Sequence, residues 1–402
     1  MIRTGVLGLI VSLILSGGCR ISTIERGQTP LMGWSSWNHF RIHIDETMIR
    51  QQADVMVASG MKDAGYQFIN IDDGYFGGRD EDGTLFANPE KFPGGMKALA
   101  DYIHSKGLRA GIYSDAGKDT CAHQWDKDPL GVGVGLYQHE EQDLVLMLEE
   151  WGYDFIKIDW CGGKQLKMDE QTRYTEIGEL IRSIRPDVVY NVCRWQFPGP
   201  WVTKVADSWR ISGDIAASFE SIVKIIDLNA DLWPYAGPDR FNDMDMLQVG
   251  RGMTVEEDKT HFSMWCMMTS PLLAGNDLRT MSEQTLEILT NKEIIALNQD
   301  PLAYQARRLH DDGDLELWAK PLKKVNSGQV AVALLNRSGK TATIGFTLDE
   351  VGIDPSAKYT TRNLWTHQDL TVSSPDALRF SVPSHGIVVL KIKGKAAAEN
   401  PF

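Results

Sequence analysis

Asp154-Phe155-Ile156-Lys157-Ile158, running straight into Asp159-Trp160-Cys161, is the stretch that decides the fold. Its apolar, β-branched run has the length of a strand and ends abruptly in polar residues. Upstream, Leu144, Met147, Leu148 and Trp151 recur at helical spacing; downstream, Ile177, Leu180, Ile181 and Ile184 do the same until Pro186 stops them. A strand set between two amphipathic helices is one unit of a parallel sheet.

The unit recurs along the chain. Strand-like runs fall at 31–36, 67–71, 108–113, 154–158, 188–192, 208–212, 240–246 and 271–275. Ile49, Ala53, Met56, Val57 and Met61 share one face of a helix opened by Asp45, and further helices fit 216–229, 255–268 and 282–297. Eight such β/α units predict an α/β fold, a (β/α)8 TIM barrel, over residues 27–303. No glycine-rich phosphate loop follows the first strand, which excludes a dinucleotide-binding sheet. After Asn298-Gln299-Asp300-Pro301 the pattern changes to short strands such as Leu315-Glu316-Leu317-Trp318 and Gly386-Ile387-Val388-Val389-Leu390, separated by Gly-, Ser- and Asp-rich turns. This predicts a C-terminal all-β sandwich over 304–394 and a loose tail at 395–402.

The 402 residues suit a barrel plus a smaller module, and 43% hydrophobic content supplies a core. A net charge of −13 speaks against a nucleic-acid partner, since phosphate binding needs a cationic surface. Met1-Ile2-Arg3, the apolar run from Gly5 to Leu15 and Ser16-Gly17-Gly18-Cys19 predict an export signal over 1–19 that is too short to span a membrane. Cys19 after small residues predicts a lipidated bacterial N-terminus, so the protein is expected outside the cytoplasm, as a periplasmic or outer-membrane lipoprotein or a secreted protein. The membrane enters this picture only through that anchor. Cys121, Cys161, Cys193 and Cys266 remain; without a C-x-x-C pair or a His cluster they predict no metal site.

In such barrels the chemistry sits where strands end at the C-terminal face. Strand two runs into Asp72-Asp73, and strand four carries Lys157 and Asp159 on one side by its period of two. Strand six gives Arg210 and then Asp214; strand seven gives Asn242-Asp243-Met244-Asp245-Met246. Paired carboxylates on one face are what glycoside hydrolysis needs, one to attack the anomeric carbon and one to protonate the leaving oxygen. The same acids would also suit Mg²⁺, but Lys157 and Arg210 would crowd a cation. Trp34, Trp37, Tyr113, Trp160, Trp195 and Trp209, all near strand ends, fit sugar stacking better.

The motifs Thr29-Pro30-Leu31-Met32-Gly33-Trp34-Ser35-Ser36-Trp37-Asn38, Ile71-Asp72-Asp73-Gly74-Tyr75, Lys157-Ile158-Asp159-Trp160-Cys161 and Ser208-Trp209-Arg210-Ile211-Ser212-Gly213-Asp214 occur in one order from residue 29 onward. In this the chain resembles glycoside hydrolase family 27, the α-galactosidases and α-N-acetylgalactosaminidases. The resemblance implies a retaining exo-α-galactosidase without metal or cofactor, acting by double displacement on galactose-containing oligosaccharides or polysaccharides. Sister activities on β-L-arabinopyranosides or α-N-acetylgalactosaminides are the alternatives, and a non-catalytic sugar-binding protein is a third. By position, Asp159 matches the nucleophile and Asp214 the acid/base. Asp72 and Asp73 match the contacts to the 4- and 6-hydroxyls, Lys157 to the 3-hydroxyl and Arg210 to the 2-hydroxyl. Trp37, Tyr113 and Asp245 match other wall positions, and Cys121 and Cys161 match a disulfide. Cys193 and Trp195 match a Cys-x-Trp segment whose bulk excludes an N-acetyl group; Arg194 between them departs from the pattern.

Overall fold

The computed structural model describes residues 28–371 and 378–402, so the expected signal and Cys19 lie outside the described residues. The barrel strands are β1 (Met32–Ser35), β2 (Phe68–Asn70), β3 (Arg109–Asp115), β4 (Phe155–Asp159), β5 (Val189–Val192), β6 (Ser208–Arg210), β7 (Phe241–Asp243) and β8 (Leu272–Ala274). They form one parallel sheet in sequence order, with β8 returning to pair with β1. Leu247 fills the remaining seam between β7 and β8: its N–H donates to Leu273 O at 2.7 Å, and its carbonyl accepts from Gly275 N at 3.0 Å. The sheet is the barrel read from the alternating pattern.

The helices form where caps and apolar stripes coincide. In α1 (Glu46–Ala58) the Asp45 side chain accepts from Met48 N, and Ile49, Ala53 and Met56 are buried. Val57, expected on that face, is exposed, and Met61 opens a separate short helix beyond Gly60. The stripe before β4 forms Glu140–Val145 and a wider turn, Leu146–Glu150, with Leu144, Met147 and Leu148 buried. After β4, α2 (Glu170–Ile184) starts at the Asp169 cap and buries Ile177 and Ile181. The pattern over 282–297 is two helices, Glu283–Leu289 and Lys292–Asn298, because the Asn291 side chain accepts two backbone N–H groups and starts a second helix. No helix among the described residues is long and apolar enough to cross a membrane.

The C-terminal strands are β9 (Arg307–Asp312), β10 (Leu315–Pro321), β11 (Gln329–Asn336), β12 (Ala342–Phe346), β13 (Thr360–Asn363), β14 (Gln368–Leu370), β15 (Leu378–Val382) and β16 (Ile387–Lys393). One sheet has the order β9-β10-β11-β16-β13-β14, and β12 pairs with β15 in a second. Strand alternation explains how the module docks. Leu317, Val330, Val332, Leu334 and Leu390 pack inward with Ile344 and Phe346, while Trp318, Ala331, Ala333, Leu335 and Val389 join the barrel's core. The residues expected to be a loose tail are held: Ala397 N donates to Gly352 O at 3.0 Å, Arg307 donates to Pro401 O at 2.9 Å, and Phe402 packs on the sandwich core.

Candidate active site

Short barrel strands end together at one face, so each contributes its last polar side chain to the same place. A cavity of about 540 Å³ opens there, lined by Trp37, Asp72, Asp73, Tyr113, Lys157, Asp159, Trp195 and Asp214, together with Arg41, Cys121 and Trp125. Beneath it, Arg210 and Asp245 border a smaller space shared with Asp72, Tyr113 and Lys157. Cys193 is buried one step behind, its sulfur 3.8 Å from Arg210 Nη1. The residues drawn from the sequence therefore converge, with Cys193 contributing from behind the wall.

Asp159 closes β4, with only 6% of its side chain exposed; one oxygen accepts from Trp160 N at 3.0 Å. Burial raises its pKa to about 6 against the pull of the Lys157 charge, and the neighbouring Asp214 adds to the rise. Lys157 lies on the same side of β4 as Asp159, as the period of two predicts, but it serves a second acid as well. Its Nζ stands 3.0 Å from Asp72 and 3.8 Å from Asp159, so it bridges the two acids and leans toward Asp72. Asp73 accepts from Gly74 N and from Ala122 N, each at 2.8 Å, and burial pushes its pKa to about 7.

Asp214 differs in kind. Its side chain is 62% exposed and meets Arg210 Nη2 at 3.1 Å. Burial opposes its charge, but Arg210 and Lys157 outweigh that and hold its pKa below the ordinary carboxylate value. The same Arg210 nitrogen is nearer to Asp245, at 2.8 Å. Asp245 sits in the left-handed region (φ 76°), from which its carboxylate accepts from both Ile215 N and Met246 N. Burial raises its pKa to about 6, with Arg210 opposing.

The Cys121–Cys161 disulfide joins the loops after β3 and β4, with Cα atoms 5.2 Å apart. Those loops touch: a Cβ on Gly117 would come within 1.9 Å of the Gly162 backbone, so only glycine fits. Buried Asp115 ties them further, accepting from Gly117 N at 2.7 Å and Gly162 N at 2.9 Å. Asp115, Cys121 and Cys161 converge within 4.8 Å, but the two sulfurs are bonded to each other and the carboxylate is engaged by backbone.

Not every predicted aromatic faces the cavity. Trp34 and Trp209 are fully buried and spend their indole N–H on Asn276 O and Asn242 Oδ1, both at 2.8 Å; Trp160 is buried against Tyr174. These three are core, while Trp37, Tyr113 and Trp195 form wall. Arg194 is not a wall residue. Its Nε donates to Glu170 at the start of α2 at 2.6 Å, bracing the turn in which Trp195 takes a left-handed φ of 47°. Sequence reasoning missed Arg41, Trp125 and Asp115. Asp115 lay within reach, at the end of β3 among glycines; Trp125 ends a five-residue helix and Arg41 caps a four-residue one, both too short to show a period.

Comparisons with known proteins agree with this two-module fold. Residues 29–300 match the family model for alpha galactosidase A, and 312–392 match that for the alpha galactosidase C-terminal beta sandwich domain. The chain is 42% identical to alpha-galactosidase A of Cellvibrio japonicus (strain Ueda107), over 96% of this chain and 97% of that protein. The structure of alpha-galactosidase I from Mortierella vinacea superposes with a TM-score of 0.83 at 31% identity, covering 93% of this chain and 99% of the other. An alpha-galactosidase from Saccharomyces cerevisiae, solved with raffinose, superposes with a TM-score of 0.80 at 26% identity, covering 92% and 98%.

Proposed function

Because the chain belongs to glycoside hydrolase family 27, the α-galactosidases, we propose that it releases terminal α-galactosyl residues by double displacement, with Asp159 as nucleophile and Asp214 as acid/base. The observation that carries this assignment is the contrast between two acids lining one cavity, one buried beside a fixed lysine and one open to water. The α-galactosidase activity itself follows from the family; the division of labour is our reading.

In the first step Asp159 attacks the anomeric carbon, and the bond to the leaving oxygen breaks as Asp214 gives that oxygen its proton. The product is a β-galactosyl ester of Asp159. In the second step Asp214 takes a proton from water, the hydroxide attacks the same carbon, and the ester bond breaks to free α-galactose. Asp72, Asp73 and Lys157 are placed to hold sugar hydroxyls, and Arg210, anchored by Asp245, to hold another beside the reacting carbon. Trp37, Tyr113 and Trp195 supply apolar wall. Substrates are galactose-containing oligosaccharides, the class to which the raffinose bound by the yeast relative belongs.

Azide separates the two roles. Asp159→Gly with azide should yield β-galactosyl azide, because the small nucleophile enters the vacated face. Asp214→Gly should yield the α-azide, formed from the ester intermediate. Exchanged or absent azide products would refute the assignment. The apolar N-terminal run and the Cys121–Cys161 bridge also support placement outside the cytoplasm with Cys19 lipidated. Metabolic palmitate labelling that survives Cys19→Ala would exclude that anchor.

A further inference from the structure

Trp125 has 69% of its surface exposed, the most of any large hydrophobic side chain described. Single exposed apolar residues are common, but an indole in water leaves a large area unburied. This one stands on the rim of the cavity that holds Asp159 and Asp214. Its backbone is fixed at both ends. Cys121, at the start of its short helix, is bridged to Cys161. Asp126, the next residue, accepts from Arg41 Nε at 3.0 Å and Nη2 at 2.6 Å. Arg41 in turn lies over the Trp37 ring, 4.1 Å from its centroid.

Arg41 belongs to the acid/base side of the cavity, for its charge reaches Asp214 and helps keep that group ionised. With Nε and Nη2 taken by Asp126, Arg41 Nη1 has no hydrogen-bond partner among the described residues, and the side chain is 41% exposed. An exposed ring on a tethered backbone and a free donor on an arginine held by Asp126 line the same cavity in which the leaving oxygen must meet Asp214.

We propose that Trp125 and Arg41 form a leaving-group subsite, with Trp125 stacking on the apolar face of the pyranose bonded to galactose and Arg41 donating to one of its hydroxyls. The proposal rests on the α-galactosidase reading above and narrows it to galactosides whose leaving group is itself a sugar. The subsite acts before the leaving group departs, so it affects kcat/KM and leaves hydrolysis of the galactosyl ester alone.

The test compares a galactosyl-α-1,6-glucose disaccharide with α-galactosyl fluoride, whose leaving group carries no ring. Trp125→Ala should lower kcat/KM on the disaccharide about tenfold, equivalent to ~1.4 kcal/mol of lost stacking. On the fluoride the change should stay within about twofold. Trp125→Phe, with a smaller ring, should fall between. The ratio of the two rates in one preparation is independent of the folded fraction, so misfolding cannot mimic the result. Equal losses on both substrates, or no loss on the disaccharide, overturn the proposal. A wild-type enzyme that turns over neither substrate refutes the α-galactosidase reading instead.

Discussion

Opening the Cys121–Cys161 bridge should both destabilise the barrel and dismantle one wall of the site. The bridged cysteines are 40 residues apart, and closing a loop of that length in the unfolded chain corresponds to about 4 kcal/mol at 25 °C. The local effect follows from what the bridge holds. Cys121 N donates to the Tyr113 hydroxyl at 3.3 Å, Ala122 N donates to Asp73, and Cys161 lies two residues beyond Asp159. A wall loosened by about 1 Å can cost ~100-fold in rate. The perturbation is the Cys121→Ala/Cys161→Ala double variant, alongside wild-type protein treated with dithiothreitol. Urea unfolding followed by tryptophan fluorescence reads the stability, and nitrophenyl α-galactoside hydrolysis reads the site. We expect the barrel transition to shift to lower urea by the equivalent of about 4 kcal/mol, and kcat/KM to fall well over tenfold. If the variant unfolds within ~1 kcal/mol of wild type and keeps its rate, the bridge neither restricts the unfolded chain nor holds the wall, and the reasoning fails.

Lys157→Met removes the cation that opposes the rise in Asp159's pKa, so the acid limb of kcat/KM should move to higher pH; an unmoved limb would detach Lys157 from Asp159. Buried His261 keeps a neutral ring that accepts from Gln248 N at 2.8 Å, and burial lowers its pKa to about 3. Its folded pKa lies below its unfolded one, so its contribution is full above pH 6.5 and is lost as pH falls toward 3, by up to ~1.4 kcal/mol per unit. His261→Gln should flatten that part of the stability profile measured by chemical denaturation, and an unchanged slope would contradict the burial argument. Arg194→Ala should lower stability by about 1 kcal/mol and raise KM several-fold, with partial recovery in Arg194→Lys, because the turn carrying Trp195 loses its tether to Glu170. Unchanged KM would leave the tether without a role.

The barrel was legible because its strands and helices alternate with clean periods, and because strands two, four, six and seven end in unmistakable polar clusters. Asp72-Asp73, Lys157-x-Asp159 and Arg210 through Asp214 could be placed on one face from the fold alone. What escaped depended on facts that period and composition do not carry. Trp34, Trp160 and Trp209 occupy strand ends as surely as Trp37 does, yet they turn into the core, and only their indole partners reveal it. Strands β9 and β13 read as Arg-Arg-Leu-His-Asp-Asp and Thr-Thr-Arg-Asn, too polar to mark themselves; they are supported by pairing with β10 and β16. The last residues look disposable until Phe402 and Pro401 are seen against the sandwich and Arg307. The partner of Lys157 was ambiguous because a strand's period says which side a residue faces, not how far a neighbouring strand's acid lies.

On the roles proposed for them, the two acids begin with their proton affinities in the wrong order, and a bound substrate is expected to correct it. Burial lifts Asp159 to about 6, while Arg210 and Lys157 keep Asp214 low. On the proposed division of labour, attack needs Asp159 charged and Asp214 protonated. Asp159 is already almost wholly out of water, with Lys157 fixed beside it on the same strand, so an arriving sugar can dehydrate it little further. Asp214 has 62% of its side chain in water and holds only the longer of two claims on Arg210, which lies nearer Asp245. A sugar that fills the cavity strips that water and offers Arg210 a hydroxyl, and both changes disfavour charge on Asp214 alone. Each unit by which its pKa climbs is worth about 1.4 kcal/mol, so losing one hydrated face and one ion pair moves the pair toward the order that attack requires. The same exposure lets Asp214 exchange its proton with solvent between steps, which a nucleophile sealed into its ester has no need to do.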